Sequence, residues 1–216
     1  MSLFLALPVL CAGYLLGSIP SGYLAGRWLA NLDIRQQGSG STGATNVLRV
    51  LGKGPALAVF LIDVLKGTAA VQLAKLLLEA PGTGSVNWSV DTVVVLTGLA
   101  ALAGHIWPVW LGWKGGKAVA TGLGMLLGLT WPVGLACFGL FLTMLSLSRI
   151  VSLSSIVAAL ALPVLMLLSF QSSDTGLRPA YLALALLTTV LVVWRHRSNV
   201  QRLLAGTEPR LGAKKG

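Results

Sequence analysis

The chain has 216 residues, 55% of them hydrophobic and 10% charged, with a formal net charge of +10 and a mean hydropathy of +0.82. A soluble domain carries about 25% charged residues, so this chain has too few charges to cover a water-exposed globule. Its length allows one membrane bundle and no separate soluble domain.

In chain order, the first charge is Arg27, so the opening apolar stretch lacks the basic start of a cleavable signal and reads as a span over residues 3–30, broken near Pro20. A polar, glycine-rich loop follows at 31–54, then a second span at 55–78. A short acidic loop with Glu79 and Asp91 leads to a third span at 92–111. The loop 112–117 opens a fourth span that ends near Thr130. About thirteen residues is short of the roughly 17 a crossing takes, so a re-entrant segment competes there. Pro132 opens a fifth span ending near Ser148; the sixth covers 152–170 and the seventh 178–194, before a basic tail.

Charge separates the two readings of the fourth span. With seven crossings, one side collects Arg27, Arg35, Arg49, Lys53, Lys114, Lys117, Arg149, Arg195, Arg197, Arg202, Arg210, Lys214 and Lys215, which is 13 of the 16 Lys and Arg. The other side holds Glu79, Asp91 and Asp174, with little positive charge beyond Arg178. A re-entrant fourth segment would put Arg149 and the tail opposite Lys114 and Lys117. The positive-inside rule therefore favours an all-α polytopic bundle of seven transmembrane helices in one domain, 1–216, with the N-terminus outside and the C-terminus cytoplasmic.

Five groups of residues on or near the inner side could carry chemistry. Gly38, Ser39, Gly40, Ser41, Thr42, Gly43, Ala44, Thr45 and Asn46 let the backbone curl around an anion, and Arg49 offers a bidentate fork beside them. The string fits the spacing of a dinucleotide fingerprint, but a membrane span precedes it where that motif needs a strand. Gly104-His105 and then Gly115-Gly116-Lys117 place a lysine at a helix start, which suits a phosphate; a plain positive-inside loop is the simpler reading of Lys114. Asp63 and Lys66, three apart, share a helix face and can pair, either as a structural ion pair or as a catalytic one. The fourth and fifth groups are Ser148 to Ser155, with Arg149 and Ser152, and Arg195 to Asn199, with His196. The bland reading of both is a basic membrane anchor; against it stands convergence, since by the seven-crossing topology all five groups fall on one side. Two histidines and two cysteines, Cys11 and Cys137 in apolar stretches, make no metal signature.

These motifs, in this order, resemble the bacterial membrane-bound acyl-phosphate:glycerol-3-phosphate acyltransferases over essentially the whole chain. The resemblance rests on Gly17-Ser18-Ile19-Pro20-Ser21-Gly22, the 38–46 glycine loop with Arg49, Asp63-Val64-Leu65-Lys66-Gly67, Gly104-His105 to Gly115-Gly116-Lys117, and His196 with Asn199. It implies transfer of a fatty acyl group from an acyl phosphate to the 1-hydroxyl of glycerol 3-phosphate, giving lysophosphatidic acid for phospholipid biosynthesis. No cofactor is implied. Localisation would be the bacterial inner membrane, with the active site at its cytoplasmic face and a functional link to an enzyme that makes acyl phosphate. Ser39, Arg49, Lys117 and His196 would contact glycerol 3-phosphate, with Asn199 held near His196. The 38–46 loop would cradle the donor phosphate, Gly115, Gly116 and Ser152 would bind substrate, and Asp63, Lys66 and His105 would support. The family's usual Gly-Ser-Gly-Asn reads Gly-Ser-Gly-Ser here, at Ser41, which removes an amide's donor and acceptor pair.

An acyl phosphate is already activated, so no covalent nucleophile is required and positioning plus fixed positive charge can do most of the work. His196 is the candidate base, with a donor phosphate oxygen as the competing proton acceptor. The alternative class is a transporter for an anion or glycerol phosphate. An acyltransferase of the His-x-x-x-x-Asp kind is excluded, because Trp110 follows His105 and Gln201 follows His196 at the required spacing. A membrane scaffold without activity leaves the loop glycines unexplained.

Overall fold

A computed structural model describes residues 3–78, 90–171 and 179–212. Glu79, Asp174, Arg178, Lys214 and Lys215, used in the charge count, lie outside the described residues. Every regular element among the described residues is helical: α1 (Leu3–Ser18), α2 (Ser21–Ala30), α3 (Ala44–Leu51), α4 (Lys53–Leu78), α5 (Val90–Ile106), α6 (Val119–Leu129), α7 (Trp131–Ser148), α8 (Val151–Gln171), α9 (Pro179–Arg195) and α10 (Arg197–Leu204). Short 3-10 turns stand at Ile34–Gln36 and Val109–Leu111. Five stretches are long and apolar enough to cross a membrane, and six if α9 and α10, bent by 58° at their junction, count as one. This is a multi-pass membrane protein. The break expected near Pro20 falls at residues 19–20, between α1 and α2. α6 has 11 residues, about 16 Å at 1.5 Å per residue.

The chain forms two compact units, 1–129 and 130–216. In the first, small residues let backbones meet, which matters where lipid supplies no hydrophobic drive between helices. Gly13 lies against Thr97, Gly17 against Ala101 and Gly104 against Ser18, so α1 and α5 run in the same direction. Along α4, Gly67 meets Thr121, Thr68 Oγ1 donates to the Gly124 carbonyl (2.9 Å) and Lys75 Nζ donates to the Gly128 carbonyl (2.8 Å). α4 and α6 therefore also run in one direction, and Lys75 covers the carbonyl end of α6, where a cation is favoured. α5 runs against α4, with Gly98 beside Val71 and His105 beside Asp63.

The first ten residues of α4 pack beneath the polar loop. Ala56 and Val59 join Ile34 and Val47 in a small apolar core, with Leu32, Leu48 and Leu51 around it. This core holds α3, an eight-residue helix inside what hydropathy shows only as loop, against α4. In the second unit α7 ends at Arg149, in the left-handed region at φ 57°. α8 and α9 are antiparallel neighbours, tied where Thr189 Oγ1 donates to the Ala159 carbonyl (2.6 Å).

Candidate active site

In the first unit the glycine-rich loop is built around one buried side chain. Asn46, 1% exposed, accepts from the Ser39 amide (2.7 Å) through Oδ1 and donates through Nδ2 to the carbonyls of Ile34 (3.0 Å), Gln37 (3.0 Å) and Ser41 (2.9 Å). A primary amide has two donor hydrogens and one acceptor oxygen, so Asn46 is spent on the loop's own backbone. Gly38 takes φ +58°, and a Cβ there would meet Asn46 Oδ1; Gly40 takes φ +69°. Both are turn residues that an L side chain would strain. The Gly40 amide is also used, donating to Gln37 (3.0 Å).

The Gly40 and Gly43 amides are therefore not available to an anion. The amides of Ala44 and Thr45, at the first two positions of α3, have no acceptor among the described residues. They stand at the positive end of a helix. Ser39, before α3, and Arg49, in its last turn, are exposed. Ser41, the family departure, accepts from the Gly43 amide (3.3 Å) just before α3. Thus Ser39, Gly43, Ala44 and Thr45 stand at the start of α3, Arg49 stands in its last turn, and Gly38, Gly40 and Asn46 shape the loop.

The second loop folds back on the end of α5. The Gly115 amide donates to the Ile106 carbonyl and the Gly116 amide to the His105 carbonyl, both at 3.1 Å. A Cβ on Gly115 would meet that same His105 carbonyl, and one on Gly116 would meet His105 Nε2. Lys117 is half-buried, two residues before α6, and Lys114 is exposed. Arg35 ties the two loops at the surface. Its guanidinium binds Asp33 (2.7 Å), donates to the Leu111 carbonyl (2.9 Å) and lies over Tyr23. The hydrogen bond from Arg35 holds the Asp33 carboxyl below its ordinary range.

Beneath both loops, the expected Asp63–Lys66 pair is formed at 2.8 Å and buried. Asp63 also accepts from Ser21 Oγ (2.7 Å), and Lys66 also donates to the Ile19 carbonyl (2.9 Å) in the α1–α2 break. His105 is buried, with Nδ1 3.1 Å from Thr121 Oγ1.

The second unit carries the other expected residues. His196, 3% exposed, stands at the bend between α9 and α10. Its Nδ1 is 2.8 Å from the Val192 carbonyl. A carbonyl only accepts, so Nδ1 carries a proton, and in the neutral ring the lone pair that a base needs is then on Nε2. Asn199 and Ser152, both buried, meet on Glu208: Glu208 Oε1 accepts from Ser152 Oγ (2.7 Å) and Asn199 Nδ2 (2.6 Å), and Oε2 accepts from Arg202 Nε (2.7 Å). Burial opposes ionisation of Glu208, but these three bonds outweigh it and hold the carboxyl below its ordinary range. Sequence reasoning missed Glu208, Ser21 and Thr121. The available signals were that Glu208 is a lone acid in a basic tail and that Ser21 stands in the Gly17 to Gly22 motif; Thr121 carries none.

The match to known proteins covers both units. The family model for glycerol-3-phosphate acyltransferase matches residues 7–206. A glycerol-3-phosphate acyltransferase of Prochlorococcus marinus (strain MIT 9313) is 70% identical over 211 residues, 98% of this chain and 97% of the relative. Two crystal structures of PlsY, an integral membrane glycerol 3-phosphate acyltransferase, are 37% identical and cover 96% of this chain. The glycerol 3-phosphate form has a TM-score of 0.82 with 96% of its chain covered. The lysophosphatidic acid form has 0.80 with 95% covered. The chain belongs to the glycerol-3-phosphate acyltransferase family.

Proposed function

We propose that this chain transfers a fatty acyl group from an acyl phosphate to the 1-hydroxyl of glycerol 3-phosphate, releasing inorganic phosphate and lysophosphatidic acid. The observation that carries the mechanism is the start of α3: two amides with no acceptor among the described residues, on a loop whose backbone Asn46 ties together, with exposed Ser39 before the helix and exposed Arg49 in its last turn. Both substrates are phosphorylated and repel each other. Fixed amide dipoles with Arg49 and Lys117 offset that repulsion at no reorganisation cost, and holding the two together supplies much of the rate.

The chemistry then needs one proton transfer. The hydroxyl oxygen attacks the acyl carbonyl carbon, the carbon–oxygen bond to phosphate breaks, and the hydroxyl proton leaves to a base. His196 takes that proton on Nε2, and its Nδ1 bond to Val192 keeps the ring in the right tautomer. Asn199, three residues along the chain from His196, is held together with Ser152 by Glu208. The family match does not favour the anion or glycerol-phosphate transporter.

The chain acts as one domain with seven crossings, N-terminus outside and active site at the cytoplasmic face of a bacterial inner membrane. The shared direction of α4 and α6 supports a fourth helix that leads back across the membrane, as does the positive-inside rule, since seven crossings would put 13 of the 16 basic residues on one side. The donor comes from an enzyme that makes acyl phosphate.

The test is donor choice. Detergent-purified protein is given labelled glycerol 3-phosphate with palmitoyl phosphate, palmitoyl-CoA or palmitoyl carrier protein. Labelled lysophosphatidic acid is expected with the acyl phosphate alone; product from the CoA thioester, or from no donor, overturns the reading. In the same assay His196→Ala should lower kcat by about 100-fold or more at every pH, the usual scale for a lost general base. Turnover near wild type would remove His196 from the mechanism.

A further inference from the structure

One turn of α4 touches three other segments and, through His105, a fourth. Asp63 Oδ1 holds Ser21 of α2 (2.7 Å) and Lys66 (2.8 Å). Lys66 holds the Ile19 carbonyl in the α1–α2 break (2.9 Å). His105, at the end of α5, sits 3.7 Å from the same Asp63 oxygen and 3.1 Å from Thr121 at the start of α6. A small cavity lies at the centre, walled by Ser18, Ser21, Thr42, Lys66, His105 and Pro108.

From this turn each anion loop is one contact away. Gly22, next to Ser21, is pressed on the Thr42 carbonyl, with no space for a Cβ. The His105 ring fills the space above Gly116, whose amide bonds back to the His105 carbonyl. Ser21 thus backs the loop that starts α3, and His105 backs the loop that carries Lys117.

We propose that Asp63 is a positioning residue that sets the distance between the two anion loops from beneath, so that one buried carboxylate registers both substrates at once. This rests on the reading that the loops hold the substrates' phosphates. The geometry gives the reason for a carboxylate at this depth. Low dielectric makes its bonds to Ser21 and Lys66 strong and directional, and Lys66 neutralises the charge within the same turn. An apolar residue would pack there but would fix neither α2 nor the α1–α2 break.

The experiment uses the full chain with Asp63→Asn and Lys66→Met together, which removes both charges and leaves neither orphaned. The double variant should keep a wild-type unfolding temperature in detergent to within a few degrees. KM for acyl phosphate and KM for glycerol 3-phosphate should both rise about tenfold, with kcat changed less than about threefold, the scale of lost charged hydrogen bonds. Hydrogen exchange should quicken together at residues 39–45 and 113–117. Ser21→Ala, which spares the ion pair and His105, should quicken exchange at 39–45 alone. A folded double variant with one or neither KM raised, or with kcat lost at unchanged KM, overturns the proposal. Should the double variant not fold, Ser21→Ala decides: exchange quickened at both loops, or at neither, overturns it. An inactive wild type sinks the acyltransferase reading, and hydrogen exchange still tests the coupling of the loops.

Discussion

Asp63 in the first unit and Glu208 in the second are both buried carboxylates that gather polar side chains, yet the charge that balances each lies in a different place. The partner of Asp63 is Lys66, whose side chain is 4% exposed. The partner of Glu208 is Arg202, whose side chain is 40% exposed. Inside a span no water can stabilise a lone ion, so charge and counter-charge are buried together, one helical turn apart. Past the last span, water and two neutral donors share the task, and the arginine contributes less. The same device, a carboxylate as a hub, is therefore brittle in the first unit and graded in the second.

That contrast can be broken by substitution. Lys66→Met removes the lysine partner of buried Asp63 within α4 and should cost about 3–5 kcal/mol, a large part of a stability of about 5–15 kcal/mol. Thermal unfolding in detergent reads it, and wild-type stability would erase the difference between the hubs. Glu208→Ala orphans the Ser152 and Asn199 donors and should cost about 1–3 kcal/mol. Glu208→Gln keeps an acceptor for them and should cost about half as much, with kcat falling more than KM rises if Asn199 and Ser152 serve the site through Glu208.

Acid sharpens the contrast. The carboxyl of Glu208 is held below its ordinary range, so its stabilisation is complete above the unfolded value of about 4.3 and is lost as pH falls through the lower folded value. Unfolding temperature should fall below about pH 4, and Glu208→Gln should remove that part of the fall. An unchanged acid limb would show that Glu208 is not ionised in the fold. The smallest effect is Arg202→Gln, about 0.5 kcal/mol and weakened by salt, because the guanidinium is solvated. A loss as large as that of Lys66→Met would mean the tail hub depends on its counter-charge after all.

Much of the fold was readable before the structure because lipid imposes a simple rule on the chain. Uninterrupted apolar length placed α1, α4, α5, α7, α8 and α9 within a few residues, and Pro20 marked the break between α1 and α2. The Asp63–Lys66 pair was also readable, since three residues along a helix brings side chains together. Two eight-residue helices were not. Hydropathy shows α3 as loop and α10 as tail, since each is short and polar and gains its stability from what it packs against. Asn46 was expected at substrate and instead organises the loop, because whether an amide faces ligand or backbone depends on where the chain returns. Ser21 and Glu208 were invisible for the same reason: Ser21 meets Asp63 42 residues away, and Glu208 meets Ser152 56 residues away.

The amino-acid sequence by itself determined that this is a membrane bundle with its glycines and most of its charges in the segments between apolar stretches, because transfer into lipid and local turn geometry depend on residues close in the chain. Which amides remain for an anion, which histidine nitrogen holds a proton and which acids became hubs were decided only in the tertiary structure. Each depends on a partner brought from another helix, and a buried polar group takes its role from the partner that satisfies it.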